Sequence, residues 1–192
     1  RRNVRRKLGN AWRLAHGSED GLGEFLLRAF DEMATAAGVP VSQYNPGARE
    51  LYDFTLRRTS GGEPLAFSSG RGKAVVLNFW ATWCGPCRAL EPYFERVSAE
   101  FRSDPRVLFL SVDCDEDETL VPPYLAEEKI RTTTVFADGL NRLLNVDSFP
   151  TVIVLDRSGK ISYRVSGFGD EDFEKNLGAA VRAALASQTQ AK

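Results

Sequence analysis

The chain has 192 residues, 43% of them apolar and 27% charged, with a formal net charge of −1. That length suits one packed domain of roughly 140 residues and a smaller appendage, and the charge balance excludes the basic excess of a nucleic-acid binder. No apolar run approaches the roughly 20 residues that span a bilayer; the longest, residues 75–79, has the length of a strand.

Arg1, Arg2, Arg5, Arg6 and Lys7 crowd the first positions, a pattern expected of a solvated face or terminal arm. The chain opens on Arg1 rather than Met, as expected of a cut or processed piece, so the absence of a signal peptide or anchor proves nothing. Residues 3–16 and 21–37 read as two helices. In the second, Leu22, Phe25, Leu26, Ala29, Phe30 and Met33 recur at spacings of three and four and give one apolar face. Ser18 or Asp20 suits its N-cap, and Gly38-Val39-Pro40 stops it. Asn45-Pro46-Gly47 is a linker, so residues 1–47 are expected to form a helical extension and 48–192 the main domain.

Residues 53–57 read as a short strand, Gly61-Gly62-Glu63-Pro64 as a turn and 65–67 as the hairpin partner. Residues 74–80 form an almost unbroken apolar run, as in a strand buried on both faces. Residues 86–101 alternate at helical period, and 107–112 is a second buried strand. Residues 119–129 read as a helix with Pro122 and Pro123 in its first turn. A short strand (132–136) and a short helix (140–144) follow. Residues 151–155 and 160–165 form a hairpin closed by Asp156-Arg157-Ser158-Gly159. The last helix, 170–186, takes Asp170 as its cap. Strand–helix–strand from residue 74 implies parallel pairing, and the late hairpin adds an antiparallel edge. The expected fold is therefore α/β, a mixed sheet with helices on both faces and a helix pair at the N-terminus.

Two of the three cysteines lie in Cys84-Gly85-Pro86-Cys87 and the third, Cys114, is alone. This is neither a disulfide framework nor a zinc site, which takes about four Cys and His ligands. His16 reads as a helix-end or surface histidine. A thiol attacks a disulfide only as thiolate. Cys84 follows a buried strand and opens a helix, where free N–H groups and the positive end of the dipole stabilise negative sulfur. Cys87 lies almost one turn on, so the two sulfurs can close a small ring. Gly85 is expected to permit a tight turn, and Pro86 suits a first helical turn. Cys84, nearer the helix end and solvent, is the expected nucleophile and Cys87 the resolving thiol.

Phe79-Trp80-Ala81-Thr82-Trp83-Cys84-Gly85-Pro86-Cys87 resembles the active-site signature of thioredoxins. Pro92 matches that family's helix-kinking proline, and Phe149-Pro150-Thr151 resembles its cis-proline segment. The resemblance implies a thioredoxin-like three-layer fold. It places Pro150 against the sulfurs and makes Phe149, with Thr151, the segment that meets substrate. Proline lacks an N–H and tolerates the cis bond. Within the superfamily the chain resembles the TlpA/ResA-like redoxins over about residues 48–188. Asp53-Phe54-Thr55-Leu56 with Gly72-Lys73 is similar to their N-terminal hairpin. Asn78 stands where ordinary thioredoxins carry a buried aspartate, and the segment from Val112 to Phe149 is longer than in thioredoxin. The resemblance implies a thiol–disulfide oxidoreductase with no cofactor beyond its redox-active disulfide and no metal. Its partners are a disulfide-bearing protein substrate and an upstream electron donor. It also implies a bacterial domain outside the cytoplasm, periplasmic or membrane-anchored, with a cytoplasmic location as the alternative.

Where many relatives have a glutamate, three residues after the second cysteine, this chain has Leu90. Glu91 is the neighbouring candidate for proton transfer, facing either solvent or the site. Cys114 ends a parallel strand at the same sheet edge as Cys84, and reads as an ordinary half-buried thiol or a neighbour of the site. Asp113, Asp115, Glu116, Asp117 and Glu118 read as a solvated helix N-terminus. Two other functions remain open. A peroxiredoxin-like peroxidase would need one peroxidatic cysteine, against which Trp83 and Cys87 argue. A binding or scaffold module would use the N-terminal helices, which weakly resemble the end of a tetratricopeptide-type array, to recruit a client.

Overall fold

A computed structural model describes residues 2–18, 20–26, 29, 44–169 and 172–187, with residues 2–8 as backbone only. Helix α1 (Arg2–His16) comes first. A turn in which the Ser18 hydroxyl accepts the Asp20 N–H (3.1 Å) follows, and residues 22–26 are again helical. Trp12 joins the two helices: its indole N–H donates to the Asp20 carbonyl (3.1 Å) and its ring lies 4.9 Å from that of Phe25. His16 is exposed and stacked on Trp12 at 3.9 Å. The helical residues 22–26 sit close against the main fold. A Cβ on Gly23 would stand 2.5 Å from the Leu143 carbonyl oxygen. Apart from Ala29, the rest of the expected second helix, with Phe30 and Met33, lies outside the described residues, as does the expected Asp170 cap.

The centre is a five-stranded sheet in the order β5-β4-β3-β6-β7: β3 (Ala74–Trp80), β4 (Val107–Asp113), β5 (Thr134–Phe136), β6 (Thr151–Leu155) and β7 (Ile161–Ser166). β3 runs parallel to β4 and antiparallel to β6, so the sheet is mixed. All seven residues of β3 are buried because both sheet faces are covered. One face carries α2 (Gly85–Phe101) and α5 (Phe173–Ala186), with Leu90, Phe94, Val97, Leu177 and Val181 packed on Val76, Val152 and Val154. α3 (Val121–Glu128) packs its Val121 and Tyr124 around Trp80. The other face carries α4 (Leu140–Leu143) and the hairpin β1 (Thr55–Leu56)–β2 (Leu65–Ala66). Each fully buried Leu or Phe contributes roughly 1.5–3 kcal/mol.

The first strand is shorter than its sequence suggests. Asp53 closes a 3-10 turn (Leu51–Asp53), its carboxylate accepting the N–H groups of Arg49 (3.0 Å) and Glu50 (2.9 Å). Past β1 the chain leaves its hairpin partner and runs along the outer edge of β5. The Phe136 N–H donates to the Arg57 carbonyl (2.9 Å), and the Thr59 N–H to that of Thr134 (3.2 Å). An edge that would otherwise be open is thereby covered. Phe67 likewise leaves β2 for a 3-10 turn (Phe67–Gly70). Asn45, in the expected linker, is an anchor. Its side chain exchanges bonds with Thr55 N–H (2.8 Å) and C=O (3.0 Å) and donates to the Asp138 carbonyl (3.1 Å). Gly159 turns the β6–β7 hairpin with φ +86°, and a Cβ there would also strike the Tyr52 hydroxyl.

Candidate active site

The sheet topology gathers the sequence motifs at one edge. β3 and β4 are parallel, so their C-terminal ends coincide, and β6, antiparallel to β3, begins there. The Cys114 N–H donates to the Trp80 carbonyl at 2.9 Å, which fixes the end of β4 to the residue that opens the Cys84 loop. Phe149 and Pro150, just before β6, come to the same edge. The Phe149–Pro150 bond is cis. Phe149 packs against the cluster that holds Cys84 and Cys87, and its ring meets that of Trp83 edge-on at 5.9 Å. Trp83 is 71% exposed beside the pair, a broad apolar surface at its mouth.

Cys84 and Cys87 are joined as a disulfide, with their Cα atoms 5.2 Å apart. Cys84 is the N-cap of α2, and its sulfur accepts the Cys87 N–H at 3.2 Å. Exposure does not separate the two sulfurs as expected, since both residues are buried; position on the helix does. Gly85 also differs from expectation. It has no positive φ, and a Cβ on it would meet nothing within 4 Å, because α2 has already begun there. Pro86 occupies the first turn, and Pro92 lies inside the helix. Thr151 has its hydroxyl engaged by the Ser148 carbonyl (2.8 Å) and the Ser166 hydroxyl (2.9 Å), so its side chain braces the cis-proline segment.

Glu91 points inward. It is 7% exposed, and its Oε2 accepts from the Asn78 amide at 3.2 Å. Burial pushes its carboxyl up to about 8, with smaller contributions from the charges of Glu95 and Glu128. The spacing signal was available: Glu91 follows Cys87 by four residues, and i and i+4 share one helix face. A raised carboxyl stabilises the folded state only while protonated. Stability therefore falls as pH rises from the ordinary value near 4.5 toward 8, and then levels off. Glu91→Gln is expected to leave stability near pH 5 almost unchanged and to raise it at pH 8 by about 1–3 kcal/mol. Urea unfolding at the two pH values checks this; an equal effect at both would contradict it.

The acidic run after β4 is not the solvated helix end its composition suggests. Glu118 is bonded to Arg57 (2.6 and 2.8 Å), and Asp115 accepts both the N–H and the hydroxyl of Thr82 (2.6 and 2.9 Å). Asp113 is 2% exposed. Asp117 alone behaves as a cap, accepting the Thr119 N–H (3.1 Å). Strand alternation carried the missed signal, since Asp113 stands in register with the inward-facing Trp80. Cys114 is partly buried, with its thiol pushed well above the ordinary range by burial and then by Asp113 and Asp115. Among the described residues no group of three or more His, Cys, Asp or Glu is arranged to hold a metal ion.

The Thioredoxin family model matches residues 68–139. The chain is 33% identical over 129 residues to the thiol-disulfide oxidoreductase ResA of Geobacillus kaustophilus, covering 65% of this chain and 72% of that protein. It is 35% identical over 111 residues to the thioredoxin-like protein YneN of Bacillus subtilis, covering 57% of this chain. It spans 65% of YneN, slightly less than two thirds. Among solved structures, a secreted Mycobacterium tuberculosis disulfide oxidoreductase homologous to E. coli DsbE superposes with a TM-score of 0.60 at 26% identity, covering 71% of this chain and 99% of that one. A thiol:disulfide interchange protein of the thioredoxin family from Chlorobium tepidum gives 0.60 at 28% identity, covering 69% and 93%.

Proposed function

The chain belongs to the ResA-like thiol–disulfide oxidoreductases of the thioredoxin superfamily, and on that premise we propose that it reduces disulfides in protein substrates through a Cys84–Cys87 dithiol/disulfide cycle. The observation that carries this reading is Cys84 at the N-cap of α2, with a backbone N–H already aimed at its sulfur at 3.2 Å. Such placement typically lowers a cysteine pKa from about 8.5 to roughly 3.5–7.5. In the reduced protein the Cys84 thiolate attacks one sulfur of the substrate disulfide. The other sulfur leaves as thiolate and takes a proton from solvent. Cys87 loses its proton and attacks the Cys84 sulfur, which releases the second substrate sulfur and closes the Cys84–Cys87 disulfide. Two electrons pass to the substrate, and a thiol donor must restore them.

Glu91 is the group we assign to the Cys87 proton. Its carboxyl, raised to about 8, is a far stronger base than an ordinary carboxylate, which lowers the cost of taking a proton from a thiol. Substrate docks over Trp83 and along the backbone of Phe149, with Pro150 keeping an N–H away from the thiolate. The redox-active group is the disulfide itself. Gly85-Pro86, the dipeptide of reducing thioredoxins, favours reduction over oxidation. The pairing of both cysteines in one disulfide disfavours a peroxidase with a solitary peroxidatic thiol.

Residues 48–192 act as the catalytic unit and the N-terminal helices as an appendage to it. The name of the secreted Mycobacterium tuberculosis relative supports work outside the cytoplasm; cell fractionation tests this, and a cytoplasmic pool would contradict it. The activity itself is tested with insulin as substrate and dithiothreitol as donor. Catalysed reduction of insulin is expected to exceed catalysed oxidation of a reduced peptide by the disulfide form; the reverse order would contradict the proposed direction.

A further inference from the structure

β4 ends in a carboxyl that the cycle above does not use. Asp113 is 2% exposed, and among the described residues neither of its oxygens accepts a hydrogen bond of ordinary length and angle. Trp80, opposite it in the β3–β4 register, is itself buried with its indole N–H unpaired. A bare carboxylate there would be a charge taken out of water without compensation, one of the costliest arrangements in a protein interior. The group is held as the acid. Burial first, then the hydrogen bond and charge of the Asp115 side chain, push its pKa up to about 8, with a small further rise from Glu118 and against a lowering by the Asp115 backbone N–H.

The side-chain group that shares a hydrogen bond with that acid is the carboxylate of Asp115. Asp115 in turn holds Thr82 by two bonds, Oδ2 accepting the backbone N–H at 2.6 Å and Oδ1 the side-chain hydroxyl at 2.9 Å. Thr82 is two residues before Cys84, in the loop that delivers the nucleophile to α2. The same loop is tied at its start by the Cys114 N–H on the Trp80 carbonyl, and the Cys84 N–H donates back to Ala81 at 3.0 Å.

We infer that Asp113 and Asp115 are a proton-sharing positioning pair, in which protonated Asp113 donates to Asp115 and Asp115 clamps Thr82 to seat Cys84. The inference rests on the dithiol reading of Cys84 and Cys87. Neither carboxyl touches sulfur; both act through the loop. The charged and titratable groups around the pair are Glu116, Glu118 and the Cys114 thiol on its own segment, Tyr44, and Arg57 beyond β1, engaged by Glu118 and Asp138. Arg142 of α4 lines the same cavity of about 340 Å³, and Tyr124 of α3 stacks on Trp80. When Asp113 loses its proton, the donor becomes a second acceptor, and the two carboxylates repel across the bond they shared. The clamp on Thr82 then loosens, and the added charge near Cys84 disfavours its thiolate.

Glu91 titrates in the same range, so the test is made in Glu91→Gln protein. Two readouts are used: the infrared C=O band of a protonated carboxyl, and the pH profile of Cys84 alkylation in the reduced protein. A protonated-carboxyl band is expected at pH 6.5 that disappears on adding Asp113→Asn. The alkylation profile is expected to show a downward inflection near pH 8. Asp113→Asn, whose amide donates to Asp115 at every pH, should abolish that inflection. Asp115→Ala, which removes both the Thr82 clamp and the acceptor for the Asp113 proton, should abolish the inflection too, and Asp115→Asn, which can accept only one of the two Thr82 bonds, should weaken it. Absence of the band, or an alkylation profile unmoved by Asp113→Asn and Asp115→Asn, would overturn the inference. Failure of the protein with Glu91 intact to reduce insulin, with the alkylation profile as expected, would instead overturn the function proposed above and leave the positioning pair standing.

Discussion

Cys84→Ser is expected to reduce disulfide-reductase activity to background, whereas Cys87→Ser is expected to stop the cycle halfway, with substrate bound covalently through Cys84. The two outcomes differ because the sulfurs occupy different places on α2. Cys84 caps the helix, and its sulfur accepts a backbone N–H. Cys87 lies one turn inside, packed with Trp80, Ala81, Val121 and Tyr124. A serine hydroxyl at position 84 is not ionised near neutral pH, so the helix end has no anion to stabilise and the first displacement fails. With serine at 87 the first displacement proceeds, but no thiolate is left to break the mixed disulfide. Electrophoresis without reductant reads the trapped species directly. Equal trapping through Cys87 in Cys84→Ser protein would contradict the assignment, and the near-equal burial of the two residues makes this a demanding test.

Arg57→Ala is expected to destabilise the fold by about 3 kcal/mol, equivalent to a melting point lower by about 10 °C in a chain of this size. Arg57 sits between two rings, 3.3 Å from the centroid of Tyr44 and 4.7 Å from that of Phe136. Its guanidinium grips Glu118 with two bonds and Asp138 with its Nε and Nη2. The Asp138 side chain is only 1% exposed, so removing Arg57 leaves a buried charge with reduced compensation. The loss falls at the low end for a broken buried pair because the residue-57 N–H still donates to Asp138 (2.9 Å). Lysine should not restore it, since a point charge cannot grip two carboxylates in a planar fork. Arg57 holds the Glu118 carboxyl below its ordinary value near 4.5. The stabilisation that Glu118 adds is thus present above that value and is lost as pH falls through the lowered one. Urea unfolding at pH 7 and pH 4 checks both statements. A loss below about 1 kcal/mol at pH 7 would contradict the buried-pair argument.

The parts of the fold legible in the sequence are those set by burial on both sides. Residues 74–80 read as a central strand because no surface could take six apolar side chains in seven positions, and the chemistry at 84–87 follows from a cysteine at the join of that strand and a helix. What stayed hidden depends on contacts between distant segments. The first strand ends early because residues 57–59 pair with β5 instead of with their own hairpin. Glu91 looked ambiguous beside Leu90, yet both turn inward: Leu90 onto the apolar sheet face, Glu91 onto Asn78. Composition groups Asp113 with the acids that follow it, although strand alternation assigns it to the interior. Asn45 read as linker because an asparagine that braces two other segments looks in sequence like one that turns freely.

The direction of electron flow is the centre of the account, and the reduction potential of the Cys84–Cys87 couple tests it most directly. Equilibration with glutathione or dithiothreitol buffers at pH 7, with the two redox forms separated after acid quenching and alkylation, gives the value. A reductant of the kind proposed here should lie near the thioredoxin value of about −270 mV. A value near −120 mV, where the reduced form is so favoured that the disulfide oxidises other proteins, would contradict it.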